Sequence, residues 1–258
     1  MTSQSGLNFW DHLDELRHIL LRIVSAVCVC TLIAFCFKEP LFRIVLAPKS
    51  PDFLLYRLLG GGDFTVDLIN TRLTSQFLIH MKVACYAGVV LASPYIIYQL
   101  FTFVAPALYA NERRHIISSA LWGYLLFIVG ALLSYFIIFP FTFRFLSTYQ
   151  VSTSVTNAIT ISSYIDTLLT LTIMMGIIFE MPLLCWLLSK LRVLSSDFMK
   201  SYRKHAVVAI LLLAAMITPT TDVFTLLVVT FPMYMLYEAS ILIVKHSERK
   251  RTLGIENK

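Results

Sequence analysis

AVVAILLLAAMITPTTDVFTLLVV, residues 206 to 229, decides the fold. Ala206 to Ile217 stays apolar for only 12 residues, about 18 Å of helix. Thr218, Pro219, Thr220, Thr221 and Asp222 then turn the chain, and Val223 to Val244 takes it back. A bilayer core about 30 Å thick asks for roughly 20 apolar residues, so the first arm is short. Read as two crossings, the stretch supplies a fifth span and a sixth, and the mismatch is met by a thinned bilayer or tilted neighbours. The alternative is a re-entrant hairpin.

Working outward, four runs are long enough to cross without help: Ile19 to Phe37, Phe77 to Ile97, Ile116 to Phe139 and Ile161 to Leu188. The composition agrees. A chain of 258 residues that is 58% hydrophobic and 14% charged, with a mean hydropathy of +0.77, cannot cover itself with polar surface. The expected fold class is an all-α polytopic membrane protein, one domain over residues 1–258, with six transmembrane helices in a bundle.

Six spans put both termini on one side. Fourteen Lys and Arg then lie on that side against six on the other, with Lys82 left inside the second span, so both ends are expected in the cytoplasm. The segment from Lys38 to Gln76, rich in Pro and carrying Gly60, Gly61 and Gly62, reads as an outer loop with short helical pieces. Cys28, Cys30, Cys36, Cys85 and Cys185 sit in apolar runs without a CxxC pair and are expected to be small buried hydrophobes. No secretory signal is expected, because Asp11, Asp14 and Glu15 precede the first apolar run and no small-residue cleavage pattern comes after it.

NFWDHLDELRHILLR, residues 8 to 22, places Leu13, Leu16 and Leu20 on one face and a capping pattern at Asn8 and Asp11, which predicts an amphipathic helix at the membrane surface. Asp14 finds Arg17 and His18 at helical spacing, whereas Glu15 meets His18 and Ile19. Two carboxylates stand out inside spans, Glu180 in GIIFEMPLL and Glu238 in MYMLYEASI. A charge at the middle of a spanning helix costs about 2.5 to 3.5 kcal/mol on insertion scales, so each is expected to face protein or water. The residue-level alternative for both is a glutamate holding helices together. Enzyme motifs are absent from the sequence: there is no HExxH, no Walker A loop and no GxSxG, and the six histidines are scattered. A non-enzymatic role is expected, as a transporter using Glu180 to carry protons or as a receptor for another polypeptide.

HLDELR (12–17), Ala47-Pro48, Ser93-Pro94, FVAPALYANERR (103–114), Phe179-Glu180 with Pro182, and RKHAVVA (203–209) through TPTTDVF (218–224) to Tyr237-Glu238 succeed one another in an order that resembles the TatC family, the core of the twin-arginine protein translocase. The likeness covers nearly the whole chain. It implies a cupped six-helix receptor of a bacterial-type cytoplasmic (inner) membrane, with short fifth and sixth helices, no cofactor, no metal and no nucleic-acid partner. The family binds twin-arginine signal peptides on folded cargo and assembles with single-span TatA and TatB partners into a multimeric complex driven by the proton motive force.

By motif position, the resemblance implies signal binding by Glu15 and Glu112, with Arg17, Leu20, Pro48 and Phe103 lining or shaping the region. Carboxylates suit that task, because the guanidinium fork pairs with them through two charge-assisted hydrogen bonds that lysine cannot reproduce. Arg113 and Arg114 would repel an arginine pair and are read as contacts to lipid phosphates. Glu180 is implied on the polar inner face of the cup, and the fifth and sixth helices, with Asp222 and Glu238, at partner contacts. Many relatives carry a proline before the aspartate of the TP turn where this chain has Thr221. The competing expectation is a proton-coupled small-molecule transporter.

Overall fold

In a computed structural model, residues 9–58, 66–104, 116–150, 152, 157–219 and 222–256 are described. Helix α1 runs without interruption from Phe9 to Cys36. The surface helix and first span expected from the sequence are therefore one element. Nothing between Phe9 and Cys36 breaks a helix, since the stretch holds neither Gly nor Pro.

Two short helices come next, α2 (Lys38–Leu46) and α3 (Leu54–Leu58), with a 3-10 turn at Ala47–Lys49 between them. Helix α4 (Ser75–Val104) returns along α1 and carries Pro94 in its interior. Ala84, Gly88 and Ala92 recur every fourth residue on its buried face. A Cβ at Gly88 would stand 2.2 Å from Thr31 Oγ1 and 2.7 Å from the Thr31 backbone nitrogen. Only a hydrogen side chain allows α1 and α4 so close an approach.

Helix α5 (Ile116–Leu133) continues through a π-helical segment, Ser134–Ile138, into α6 (Phe139–Thr148). Helix α7 (Ile161–Ile178) and α8 (Met181–Lys190) make up the expected fourth span, which is broken at Phe179 and Glu180. Pro182 causes the break, because it has no N–H to offer the carbonyl four residues back. Thr160 opens α7 by accepting from the Ser163 N–H at 3.2 Å.

Helix α9 (Ser196–Ser201), α10 (Arg203–Ile217) and α11 (Val223–Glu256) complete the chain. Among the described residues, five stretches are long and apolar enough to cross a membrane: Leu13–Cys36, Ser75–Phe103, Ser118–Thr148, Ile161–Lys190 and Val223–Arg249. The 15 residues of α10 are the short arm expected from the sequence, with Arg203, Lys204 and His205 at its start. Helix α11, with 34 residues, is not the short sixth helix that the resemblance implies, because good helix formers such as Lys245, Glu248 and Arg249 carry it past Val244.

The main core sits at the end where α1 stops and α4 begins. Tyr164, Phe139 and Phe143 pack edge-to-face there, with ring centroids 5.0 to 5.1 Å apart across Tyr164. Three phenols tie the connecting pieces to the helices. Tyr164 donates to the Val45 carbonyl at 3.0 Å, Tyr135 to the Ile44 carbonyl at 2.7 Å and Tyr56 to the Pro140 carbonyl at 3.2 Å. Burial pushes the Tyr56 phenol well above its ordinary pKa, with the Arg144 guanidinium opposing, so it remains a donor. A parallel two-residue pairing, β1 (Leu68–Ile69) with β2 (Ile159–Thr160), joins the two connecting segments on this side and has no counterpart among the sequence-based expectations.

The cysteines depart from expectation. Cys28, Cys36 and Cys85 lie on exposed helix faces, because in a spanning helix the bilayer takes the place of a protein core.

Candidate functional site

Helices α1 and α4 run antiparallel, and Thr31 against Gly88 sets their register. Stepping 15 residues back along α1 reaches Leu16, and 15 forward along α4 reaches Phe103. Phe103 thus lies at about the axial level of Leu16, at the same rim of the protein as Glu15 and Arg17. Glu15, Arg17 and Leu20 are exposed there, while Phe103 is half-buried. Residues 105–115 connect α4, which ends at this rim, to α5; Glu112, with Arg113 and Arg114, lies outside the described residues. Pro48 is not brought to this rim. It is buried in the 3-10 turn beyond the far end of α1, among the loops that Tyr164 and Tyr135 hold.

Glu180 occupies the break between α7 and α8. A cavity of about 300 Å³ lies beside it, walled by Ile97 and Phe101 of α4, Phe127 of α5 and Ile177 of α7. Ser93 also lines it, but that hydroxyl is committed to the Val90 carbonyl at 2.7 Å. Glu180 Oε1 is buried with no hydrogen-bond partner among the described residues. Its Oε2 stands 3.0 Å from where a Cβ on Gly123 would be, so the missing side chain at Gly123 makes room for the carboxylate.

Two further glycines hold the helices around this carboxylate. A Cβ at Gly130 of α5 would meet the Met175 carbonyl oxygen at 2.6 Å and Phe179 Cγ at 2.7 Å. Reciprocally, Phe127 of α5 covers Gly176 of α7, where a Cβ would approach its ring to 2.7 Å. Gly123, Phe127 and Gly130 recur at spacings of four and three, so one face of α5 builds the whole contact.

Glu238 has a different setting. Its Oε2 accepts from Arg203 Nη2 at 2.7 Å and its Oε1 from the Tyr234 hydroxyl at 3.1 Å. The glutamate therefore ties the start of α10 to α11. Nearby, the Tyr237 hydroxyl donates to the Met199 carbonyl at 2.7 Å, and Glu248 accepts from the Ser196 hydroxyl at 2.6 Å. Asp222 begins α11: its Oδ1 accepts from the Thr225 N–H at 2.7 Å, while Oδ2 is buried with no partner among the described residues. That makes Asp222 a helix N-cap.

A third intramembrane carboxylate is not apparent from the sequence. Asp166 on α7 accepts from Lys82 Nζ on α4 at 2.8 Å and 3.1 Å. A signal exists, since Lys82 is an isolated cation inside a span and Asp166 lies within the expected fourth span. Asp166 is only five residues past the start of α7, where a carboxylate reads as interfacial.

A family model described as Sec-independent protein translocase protein (TatC) matches residues 11–232. A TatC of Blattabacterium sp. subsp. Periplaneta americana is 34% identical, with 96% of this chain and 98% of that protein covered. The TatC of Aquifex aeolicus is also 34% identical, with coverage of 93% and 96%. A solved structure, the crystal structure of a twin-arginine translocase receptor TatC, superposes with a TM-score of 0.78 at 33% identity, covering 92% of this chain and 99% of that one.

Proposed function

The chain belongs to the TatC family of Sec-independent protein translocase proteins, and from that premise we propose that it is the receptor of a twin-arginine translocase, binding export signals at the rim shared by α1 and α4. The observation that supports this reading is the antiparallel register of those helices, which brings Phe103 to the same end of the pair as Glu15 and Arg17. Residues 105–115, with Glu112, follow α4 directly in the sequence.

Glu15 and Glu112 take the guanidinium groups of the signal, and Leu20 and Phe103 offer apolar contact to the signal residues beyond the arginine pair. Arg17 shapes the rim. Pro48 contributes at the far side, by fixing the turn after α2, and not by contact with the signal. The rim faces the cytoplasm, with both termini, because fourteen of the basic residues fall on that side of six crossings.

The cavity beside Glu180 supports insertion of an apolar helix of the signal or of a partner, with the unpartnered Oε1 as its polar station. Single-span TatA- and TatB-like proteins are the proposed partners of α10 and α11. Asp222 and Glu238 hold the shape of that hairpin, while Leu212, Met216 and Phe231 stay exposed on it. The proton motive force supplies the energy, and no step calls on a cofactor.

Binding of a twin-arginine peptide to the purified protein tests this reading, with a twin-lysine peptide as control. Truncating one partner of a desolvated charge pair costs about 2 to 5 kcal/mol, so Glu112→Ala should weaken binding by about tenfold or more. Glu112→Lys should abolish it while the protein still inserts and assembles. Adding a change at Glu15 should cost less than its separate effect if both acids hold the same arginine pair. Undiminished binding by Glu112→Lys would refute the assignment.

A further inference from the structure

The Lys82–Asp166 pair lies in a cavity of about 380 Å³ between the starts of α4 and α7. Unlike the cavity beside Glu180, it is polar at one end. Arg72, Thr74, Ser75 and Ser162 line its mouth along with the ion pair. Leu78 and Met81, both about half exposed, add apolar wall between Ser75 and Lys82 along α4, and Cys85 lines the cavity just past Lys82.

Phe77 is exposed on the same helix, so the cavity opens on a face of α4 that presents hydrocarbon surface outward. Lys82 lies about 10 Å along α4 from Ser75 at a rise of 1.5 Å per residue, near the start of the apolar stretch Ser75–Phe103. The leaflet is the one α1 reaches at Cys36.

The charges do not cancel. Asp166 neutralises Lys82, and Arg72 has no charged partner among the described residues, leaving the cavity with one net positive charge. Lys82 has three donors, and Asp166 accepts from them at 2.8 and 3.1 Å, so at least one remains for another acceptor. Arg72 is held in place by its backbone, since its carbonyl accepts from both the N–H and the hydroxyl of Ser75, at 3.2 and 2.8 Å. Two cations, hydroxyls beside them and the exposed apolar side chains of Phe77, Leu78 and Met81 on the same helix match a lipid phosphate with an adjoining acyl chain.

We propose that this cavity binds the phosphodiester of an anionic phospholipid, with Arg72 and Lys82 as donors to the phosphate and α4 as the track for an acyl chain. A guanidinium fork pairs two phosphate oxygens at once, and Lys82 adds a point charge behind it. Asp166 keeps Lys82 aimed when the site is empty, and its own negative charge disfavours headgroups of higher negative charge.

Native mass spectrometry of the full chain in detergent tests the site, using dioleoyl phosphatidylglycerol, dioleoyl phosphatidylcholine and inorganic phosphate as separate probes. The parent should retain one phosphatidylglycerol that resists collisional activation and raises the thermal midpoint, and phosphatidylcholine should do neither. Arg72→Gln, a change outside the helices, should lower phosphatidylglycerol affinity by about tenfold. The charge-neutral double change Lys82→Gln with Asp166→Asn should lower it by a smaller factor while sparing the fold an unpaired ion. Equal retention of phosphatidylcholine, displacement of the lipid by inorganic phosphate at millimolar concentration, or parental affinity in either variant would overturn the assignment.

Discussion

Glu180 and Glu238 are the same residue type in spanning helices, and the protein treats them in opposite ways. Around Glu238 every carboxylate oxygen has a donor, Arg203 on one side and Tyr234 on the other, and the result is a clamp between α10 and α11. Around Glu180 the helices come together through glycines, yet one oxygen is left without a donor beside an apolar cavity. Burying a polar atom without a partner costs about 1 to 3 kcal/mol, so Glu180 carries a penalty that Glu238 avoids. The clamp serves stability, and the unpaired oxygen is the polar station proposed above for an entering helix.

The largest expected effect breaks the scaffold around Glu180. Gly130→Val would press a branched side chain into the Met175 carbonyl and the Phe179 ring, with backbone on one side and a packed aromatic on the other. Overpacking of this severity should cost about 3 kcal/mol or more. Thermal unfolding of the purified protein should show a large fall or no folded protein. A variant that unfolds like the parent would mean that α5 and α7 can separate freely.

Next comes the clamp. Arg203→Ala leaves Glu238 with only Tyr234, and because Glu238 is 30% exposed the loss should be about 1 to 2 kcal/mol. Adding Glu238→Gln should restore part of it, since an amide does not need a cation. Additive losses in the double variant would show that the two residues act separately.

The sharpest contrast is smaller in energy. Glu180→Leu should leave thermal stability within about 1 kcal/mol of the parent, or raise it, because it removes a buried atom that has no partner. Glu238→Leu should lower it, because Arg203 is then orphaned. Transport should run the other way at Glu180: Gln should retain part of the activity and Leu less. Complete loss with Gln would point to an obligatory proton carrier.

The smallest effect lies on the chain that joins the two regions. Arg192 takes a left-handed backbone, with φ of 61°, where α8 closes through Val193 N–H to the Leu188 carbonyl at 3.0 Å. A glycine meets no steric cost there, so Arg192→Gly should stabilise by roughly 0.5 kcal/mol. A measurable loss would show that the Arg192 side chain does more than end the helix.

Much of this fold is legible in the sequence. Apolar runs near 20 residues announce spanning helices whatever surrounds them, and the short run before TPTTD marks α10. Glu180 and Glu238 stand out because a carboxylate among apolar residues is conspicuous, and the one local difference is Tyr234, a donor four residues before Glu238 where Gly176 precedes Glu180. Their partners, Gly123 and Arg203, are 57 and 35 residues away in sequence. Asp166 stays hidden for the same reason, since its meaning comes from Lys82, 84 residues distant. Motif order alone groups Pro48 with Glu15, and the length of α1 sets them at opposite ends.

By itself, then, the sequence determined that the chain lives in a bilayer, how many apolar segments it offers and which family it belongs to, because hydropathy and motif order are local and additive along the chain. Only the tertiary structure decided which charges are paired, which carboxylate oxygen is left open and which glycines allow helices to touch. Those depend on the register of neighbouring helices, and register is set by side chains such as Thr31 and Phe127 meeting bare backbone at Gly88 and Gly176.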